Sequence, residues 1–315
     1  MVPILVIVGP TAVGKTQLSI EVAQRVDGEI ISADSMQIYR GLDIGTAKPT
    51  EEEREGIPHH MMDIVEPWEE YSVAEYQAMV EDILQEVALR DKVPILTGGT
   101  GLYIRAVLEG FIFDGEGKDE AFRTRMQLIA ETQGNEALHS RLQAIDPQTA
   151  NRLHPNDLRR VIRALEVYET TGVPLSRHLQ MQSEQPPRHK SIKFGLMRDR
   201  KRLYERIDAR VDMMLEKGLL AEVQHLLDRG LSNESTAMQA LGYKELVAYL
   251  RGEYDRQEAV RLLKRDTRRY AKRQLTWFRR DRNIIWLNLD KLSTEEAVEQ
   301  ITSIYWRNCE QNNEI

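Results

Sequence analysis

A doubly wound, mostly parallel α/β sheet of the phosphate-loop type, carrying a helical insertion, is the fold class that this 315-residue sequence predicts. Three observations predict it. Short apolar, β-branched runs alternate with helical patterns, as in sheets built from crossover connections. A complete G-x-x-x-x-G-K-[ST] motif, Gly9 to Thr16, stands directly after the first run. Residues 114–188 hold no convincing strand pattern.

The candidate strands are 2–8, Glu29 to Ala33, Val93 to Thr97, Ser191 to Leu196 and Ile284 to Leu289. Helical patterns cover Gln17 to Arg25, Val73 to Arg90 and Lys201 to Leu227. In such sheets, ligands bind beyond the carboxyl ends of the strands. The strandless segment opens with Asp114-Gly115-Glu116-Gly117 and closes with Gln185-Pro186-Pro187, both linker-like. Within it, Asp146-Pro147 and His154-Pro155 look like helix starts, with proline near the first turn. The expected domains are a core of residues 1–113 and 189–315 and a helical insertion of residues 114–188. Toward its C-terminus the core carries a basic amphipathic helix, Val260 to Phe278, whose apolar stripe is Val260, Leu263, Thr267, Tyr270, Leu275 and Phe278.

Composition narrows the class. Hydrophobic residues make up 41% and charged residues 30%, which suits a packed core and excludes general disorder. The first apolar run is too short to span a membrane and lacks the flanks of a secretory signal. The single cysteine, Cys309, excludes an internal disulfide framework and a multi-cysteine zinc site. A cytoplasmic monomer with no membrane partner is the simplest expectation. The net charge is −7, yet residues 261–282 hold ten Lys/Arg against Asp266 and Asp281. Such asymmetry is an electrostatic footprint for a polyanion.

The motifs bring chemistry to one sheet edge. Across Gly9, Pro10, Thr11, Ala12, Val13, Gly14, Lys15 and Thr16, the glycines allow the turn and backbone N–H groups face an anion. Lys15 adds a point charge, and the Thr16 hydroxyl can ligate Mg²⁺. Asp34 follows the second strand, a Mg²⁺ ligand or general base if it faces that loop; a turn or capping residue is the plainer reading. Thr97-Gly98-Gly99-Thr100-Gly101 follows the third strand and is weak alone, but three such loops converging form a site. Asp43 to Pro49 reads as a mobile loop that brings Lys48 near the site. His59-His60 is a poor metal pair, because adjacent side chains diverge. Arg159 and Arg163 share one helical face. Arg261, Lys264, Arg265, Arg268, Arg269, Lys272 and Arg273 cover much of the last core helix, which favours a polyanion over a solvated face.

Seven segments, in order, resemble the bacterial tRNA dimethylallyltransferase (tRNA isopentenyltransferase) family. They are Gly-Pro-Thr-Ala-Val-Gly-Lys-Thr (9–16), Asp-Ser-Met-Gln-Ile-Tyr (34–39), Asp-Ile-Gly-Thr-Ala-Lys-Pro (43–49), Gly-Gly-Thr-Gly-Leu-Tyr (98–103), His-Pro-Asn-Asp (154–157), Arg-Ala-Leu-Glu (163–166) and Leu-Gly-Tyr-Lys-Glu (241–245). The resemblance implies transfer of a dimethylallyl group from dimethylallyl diphosphate to N6 of adenosine 37 of tRNA. The phosphate loop would hold the donor's diphosphate with Mg²⁺. The resemblance further implies Asp34 as general base, Thr100 in the reaction channel and Arg210 on the diphosphate. Asp34, Ser35, Met36, Gln37 and Thr100 would touch tRNA, as would Arg159, Arg160, Val161, Ile162 and Arg163, and Arg123 beside them. The basic helix would add Arg265, Arg268 and Lys272. A small-molecule kinase and a non-catalytic RNA-binding switch are the alternatives; the basic helix counts against the first and a positioned base against the second.

Overall fold

The computed structural model describes residues 2–111 and 119–313. The linker expected at Asp114-Gly115-Glu116-Gly117 lies outside the described residues. The chain divides into two compact units, Met1–Leu108 with Arg188–Ile315, and Glu109–Pro187.

In the first unit, β1 (Ile4–Val8), α1 (Lys15–Val26), β2 (Gly28–Ala33), α2 (Glu51–Arg54), β3 (His59–His60), α3 (Val73–Leu89), β4 (Val93–Gly98) and α4 (Gly101–Glu109, ending at the boundary) precede the second unit. That unit holds α5 (Glu120–Gln133), α6 (Asn135–Ile145), α7 (Pro147–Ala150), α8 (Leu158–Thr171) and α9 (Leu175–Glu184). The first unit then resumes with β5 (Ser191–Met197), α10 (Arg200–Glu216), α11 (Leu219–Asp228), α12 (Tyr243–Leu250), α13 (Arg256–Phe278), β6 (Ile284–Asn288) and α14 (Thr294–Asn313).

The six strands are parallel, in the order β3-β2-β4-β1-β5-β6. β1 reads as an unbroken apolar run because both its faces are covered. Leu5 and Ile7 pack with α1 and α14 residues such as Leu18 and Ile301, whereas Ile4, Val6 and Val8 pack with Tyr76, Val80 and Leu84 of α3. A third apolar cluster joins α10 to α13 with Ile38, Tyr39 and Leu42. The second unit has its own core of Phe122, Met126, Leu138, Leu142, Val161, Ile162 and Leu165.

The differences from expectation have local causes. β3 is a two-residue edge strand made of His59 and His60, which present no apolar run. The helix expected over Lys201 to Leu227 breaks at Gly218, whose φ of 99° leaves the helical region between α10 and α11. Pro147 does open a helix, with the Asp146 carboxylate accepting from Thr149 N–H. Pro155 does not: Asp157 N–H bonds to His154 C=O at 2.8 Å, and α8 begins only at Leu158.

Candidate active site

β2, β4 and β1 are neighbours, and register pairs Ala33 with Gly98 and Gly98 with Val8. The three strands therefore end level, and the loops at 9–14, 34–37 and 98–101 lie side by side. They border a cleft of about 580 Å³ whose lining includes Thr11, Lys15, Thr16, Asp34, Gln37, Arg206, Arg210, Tyr270 and Gln274. Exposed Thr16 lines it at the start of α1.

Cations engage four phosphate-loop carbonyls. Arg198 Nε donates to Val13 C=O and Arg206 Nε to Ala12 C=O, both at 2.9 Å. Lys15 Nζ donates to the carbonyls of Gly9 and Pro10, each at 2.9 Å. With the carbonyls engaged and Gly14 at a φ of 114°, the loop is shaped for an anion. Burial pushes the Lys15 ammonium down to about 8; Asp34 opposes this and Arg210 adds to it. Burial, with help from Arg206, likewise lowers Arg210 against the pull of Asp34. The cleft thus sets Lys15, Arg206 and Arg210 against Asp34.

Asp34 is oriented by its own loop, since Oδ1 accepts from Met36 N–H at 3.0 Å. The Thr100 hydroxyl accepts from Ser35 N–H at 3.0 Å, and Thr100 N–H donates to Ala33 C=O at 3.0 Å. Thr100 therefore stitches the loop after β4 to the loop that carries Asp34. Met36 packs against the third apolar cluster. Gln37 Oε1 accepts from the Ser32 hydroxyl at 2.9 Å, and its Nε2 reaches Thr46 C=O at 3.3 Å.

Four residues missed by sequence reasoning complete the site: Arg198, Arg206, Tyr270 and Gln274. Gln274 is buried; its Oε1 accepts from Thr11 N–H at 2.9 Å and its Nε2 donates to Gly99 C=O at 3.0 Å. Glycines at 99 and 101 permit this approach, because a Cβ there would collide with the Gln274 amide and with the Trp277 indole. Arg206 had one usable signal, its i−4 spacing from Arg210.

Other candidates sit elsewhere. Lys48 is not a cleft cation: its ammonium bonds Tyr39 C=O at 2.9 Å and the carboxylates of Asp43 and Asp63. His60 faces Glu29, which the Arg90 guanidinium above all holds below the usual carboxylate range. Among the described residues no cluster of three or more His, Cys, Asp or Glu is arranged to hold a metal.

In the second unit, Val161 and Ile162 are buried in the core, so within 159–163 only Arg159, Arg160 and Arg163 are exposed. Arg123 makes two 2.8 Å bonds to Glu166, which is 1% exposed, and Arg163 Nη1 donates to the same carboxylate at 2.6 Å. Burial would raise Glu166, but the bonds from Arg123 and Arg163 hold it below its ordinary range. Arg123 is thereby committed to the unit's own core. On α13, Arg265 pairs with Asp266 at 2.8 Å and Arg268 lies 3.4 Å from Asp208, whereas Lys272 is exposed.

The profile of the family described as IPP transferase matches residues 37–281. The chain belongs to that family. A tRNA dimethylallyltransferase of Halothermothrix orenii is 55% identical over 286 residues, 91% of this chain and 87% of the relative. One from Bacillus subtilis is 50% identical over 91% of each chain. The crystal structure of a full-length tRNA isopentenylpyrophosphate transferase from Bacillus halodurans is similar with a TM-score of 0.76 and 42% identity, covering 100% of this chain and 99% of that one. A eukaryotic dimethylallyltransferase acting on tRNA is similar with a TM-score of 0.77 and 31% identity, covering 95% of this chain and 78% of the other.

Proposed function

We propose that this protein transfers a dimethylallyl group from dimethylallyl diphosphate to N6 of the adenosine at position 37 of tRNA, releasing diphosphate. One observation carries the reading: an anion cradle and an oriented carboxylate, Asp34, border the same cleft. The family and its named relatives supply the group transferred and the acceptor.

The N6 nitrogen attacks the allylic carbon as that carbon's bond to the diphosphate oxygen breaks, and the electron pair leaves with the diphosphate. Loop N–H groups, Lys15 and Arg210 stabilise the charge that develops there. Asp34 accepts the proton that N6 loses. Thr100 and Ser35 hold that carboxylate's loop, and Met36 and Gln37 extend the acceptor side. Arg159 offers charge to the tRNA from the second unit and Lys272 offers it from α13, with the ion-paired Arg160, Arg163, Arg265 and Arg268 secondary.

The residues present fit a hard divalent cation. The Thr16 hydroxyl is an oxygen donor beside Lys15, and with so few protein ligands the ion would be held mainly by diphosphate oxygens and water, as Mg²⁺ prefers. Bound there, Mg²⁺ would supply further neutralisation of the diphosphate charge.

Incubation with dimethylallyl diphosphate, Mg²⁺ and unmodified tRNA, followed by nucleoside mass analysis, should yield dimethylallyl adenosine. Hydrolysis of ATP without tRNA at a comparable rate would favour a kinase or a nucleotide switch instead. Asp34→Asn keeps the size and removes the base, so turnover should fall by about 10² to 10⁴ with tRNA affinity little changed. Near-normal turnover in that variant removes Asp34 from the chemistry.

A further inference from the structure

We propose that Glu222 and Tyr243 are positioning residues that lock the loop at 43–48 and, through Gln37, set the acceptor-side wall of the cleft. The inference rests on the reading of residues 34–37 as the acceptor side.

Glu222 lies on α11, and its carboxylate gathers four donors. Oε2 accepts from the N–H groups of Asp43 at 3.0 Å and Ile44 at 2.8 Å. Oε1 accepts from Gly45 N–H at 3.1 Å and from the Tyr243 hydroxyl at 2.6 Å. Three successive backbone N–H groups converging on one anion form a nest. The Tyr243 ring occupies the space that a Cβ at position 45 would need, so glycine there lets the loop close onto the ring. Two motifs far apart in the chain, Asp43 to Pro49 and Leu241 to Glu245, are therefore two halves of one device.

The device reaches the cleft in one step. Thr46, Ala47 and Pro49, the continuation of the locked loop, line it. Gln37 Nε2 lies 3.3 Å from Thr46 C=O and 3.5 Å from Ala47 C=O, which ties the loop to the segment that carries Asp34. A segment with no helix or strand of its own would otherwise have to be ordered when the acceptor binds, and that ordering would subtract from affinity. Charge-assisted bonds to Glu222, about twice as strong as neutral ones, order it beforehand.

Tyr243→Phe removes one hydroxyl and keeps the ring that fills the space over Gly45. Glu222→Gln puts an NH₂ where backbone donors point. Tyr243→Phe should raise KM for tRNA and the equilibrium dissociation constant for tRNA about tenfold, the equivalent of one hydrogen bond to a charged group. Glu222→Gln should raise both further. KM for dimethylallyl diphosphate should stay within about twofold, and amides 43–45 should exchange hydrogen faster in both variants. Unchanged tRNA parameters, or donor and tRNA parameters that move together in step with melting temperature, would reduce the pair to ordinary packing and overturn the proposal. If the parent protein transfers no dimethylallyl group, the reaction assignment fails, and tRNA binding with amide exchange still decides the lock.

Discussion

Lys15 is held between opposing demands. Burial pushes its ammonium down to about 8, while a bound diphosphate would raise it again by placing negative charge beside it. Above that value the complex holds more protons than the free protein, so donor affinity must fall as pH rises through about 8 and stay flat below it. The limiting slope is about tenfold per pH unit, since one proton is linked. Lys15→Arg stays charged throughout and should abolish the slope, whatever it does to absolute affinity. Calorimetric titration with dimethylallyl diphosphate from about pH 7 to 9.5 would measure this, and a flat parent profile would mean that diphosphate binding takes up no proton at Lys15 over that range. Lys15, Thr16 and Asp34 were legible because their signals are local: a motif and its place after a strand. Arg198 and Gln274 were not, since each bonds a backbone group far along the chain, and Arg206 had only its spacing from Arg210. Gln274 and Thr11 are 263 positions apart, and a backbone N–H leaves no mark in a sequence.

Among the elements, α13 departs most from its sequence reading. Of the stripe its amphipathic pattern marked, Leu263 and Phe278 are buried and Val260 and Leu275 are partly buried, while Ala259, Ala271 and Gln274, outside that stripe, are buried too. A polar residue tolerates that position because its amide oxygen and nitrogen are both satisfied, by Thr11 and Gly99. The Gly98-Gly99-Thr100-Gly101 turn was a weak signal alone; its glycines make room for α13 and for Ala33. Gln274→Ala should destabilise the protein by roughly 1–3 kcal/mol, the cost of stranded buried donors and acceptors, and raise KM for the donor. Gly99→Ala should be worse alone, because the new methyl meets the Gln274 amide. In the double variant that amide is gone, so its melting temperature should exceed that of Gly99→Ala. Simple additivity would show that Gly99 does not serve this contact. The strand runs and the longer helices α1, α3 and α13 were legible because one or both faces are buried. The break at Gly218 was not, since apolar residues continue on both sides of it.

Charge is where the whole molecule must be considered, because a net −7 hides a basic segment that the fold has partly spent on itself. Arg261 pairs with Glu258, Lys264 with Asp212, and both Arg265 and Arg269 with Asp266. The count of ten cations against two acids, taken along the chain, could not include Asp208 and Asp212, which arrive from α10. Lys272, Arg273, Arg279 and Arg280 are exposed, and for none of them is an ion pair found among the described residues. Polyanion affinity should therefore concentrate at the carboxyl end of α13 and just beyond it. Each phosphate left without its cation lowers the slope of log affinity against log salt by about 0.7 to 0.9. Replacing Lys272 and Arg273 with Gln should flatten that slope for tRNA by one to two such steps. Replacing Arg265 and Arg268 should flatten it less, because those cations would first have to leave Asp266 and Asp208. Donor affinity should be unchanged in both variants, since none of these four residues lines the cleft. Titrations of tRNA binding at several salt concentrations compare the pairs directly. A greater flattening from Arg265 and Arg268 would mean that tRNA displaces the acids, and a parental slope in both would leave tRNA recognition to the arginines of the second unit.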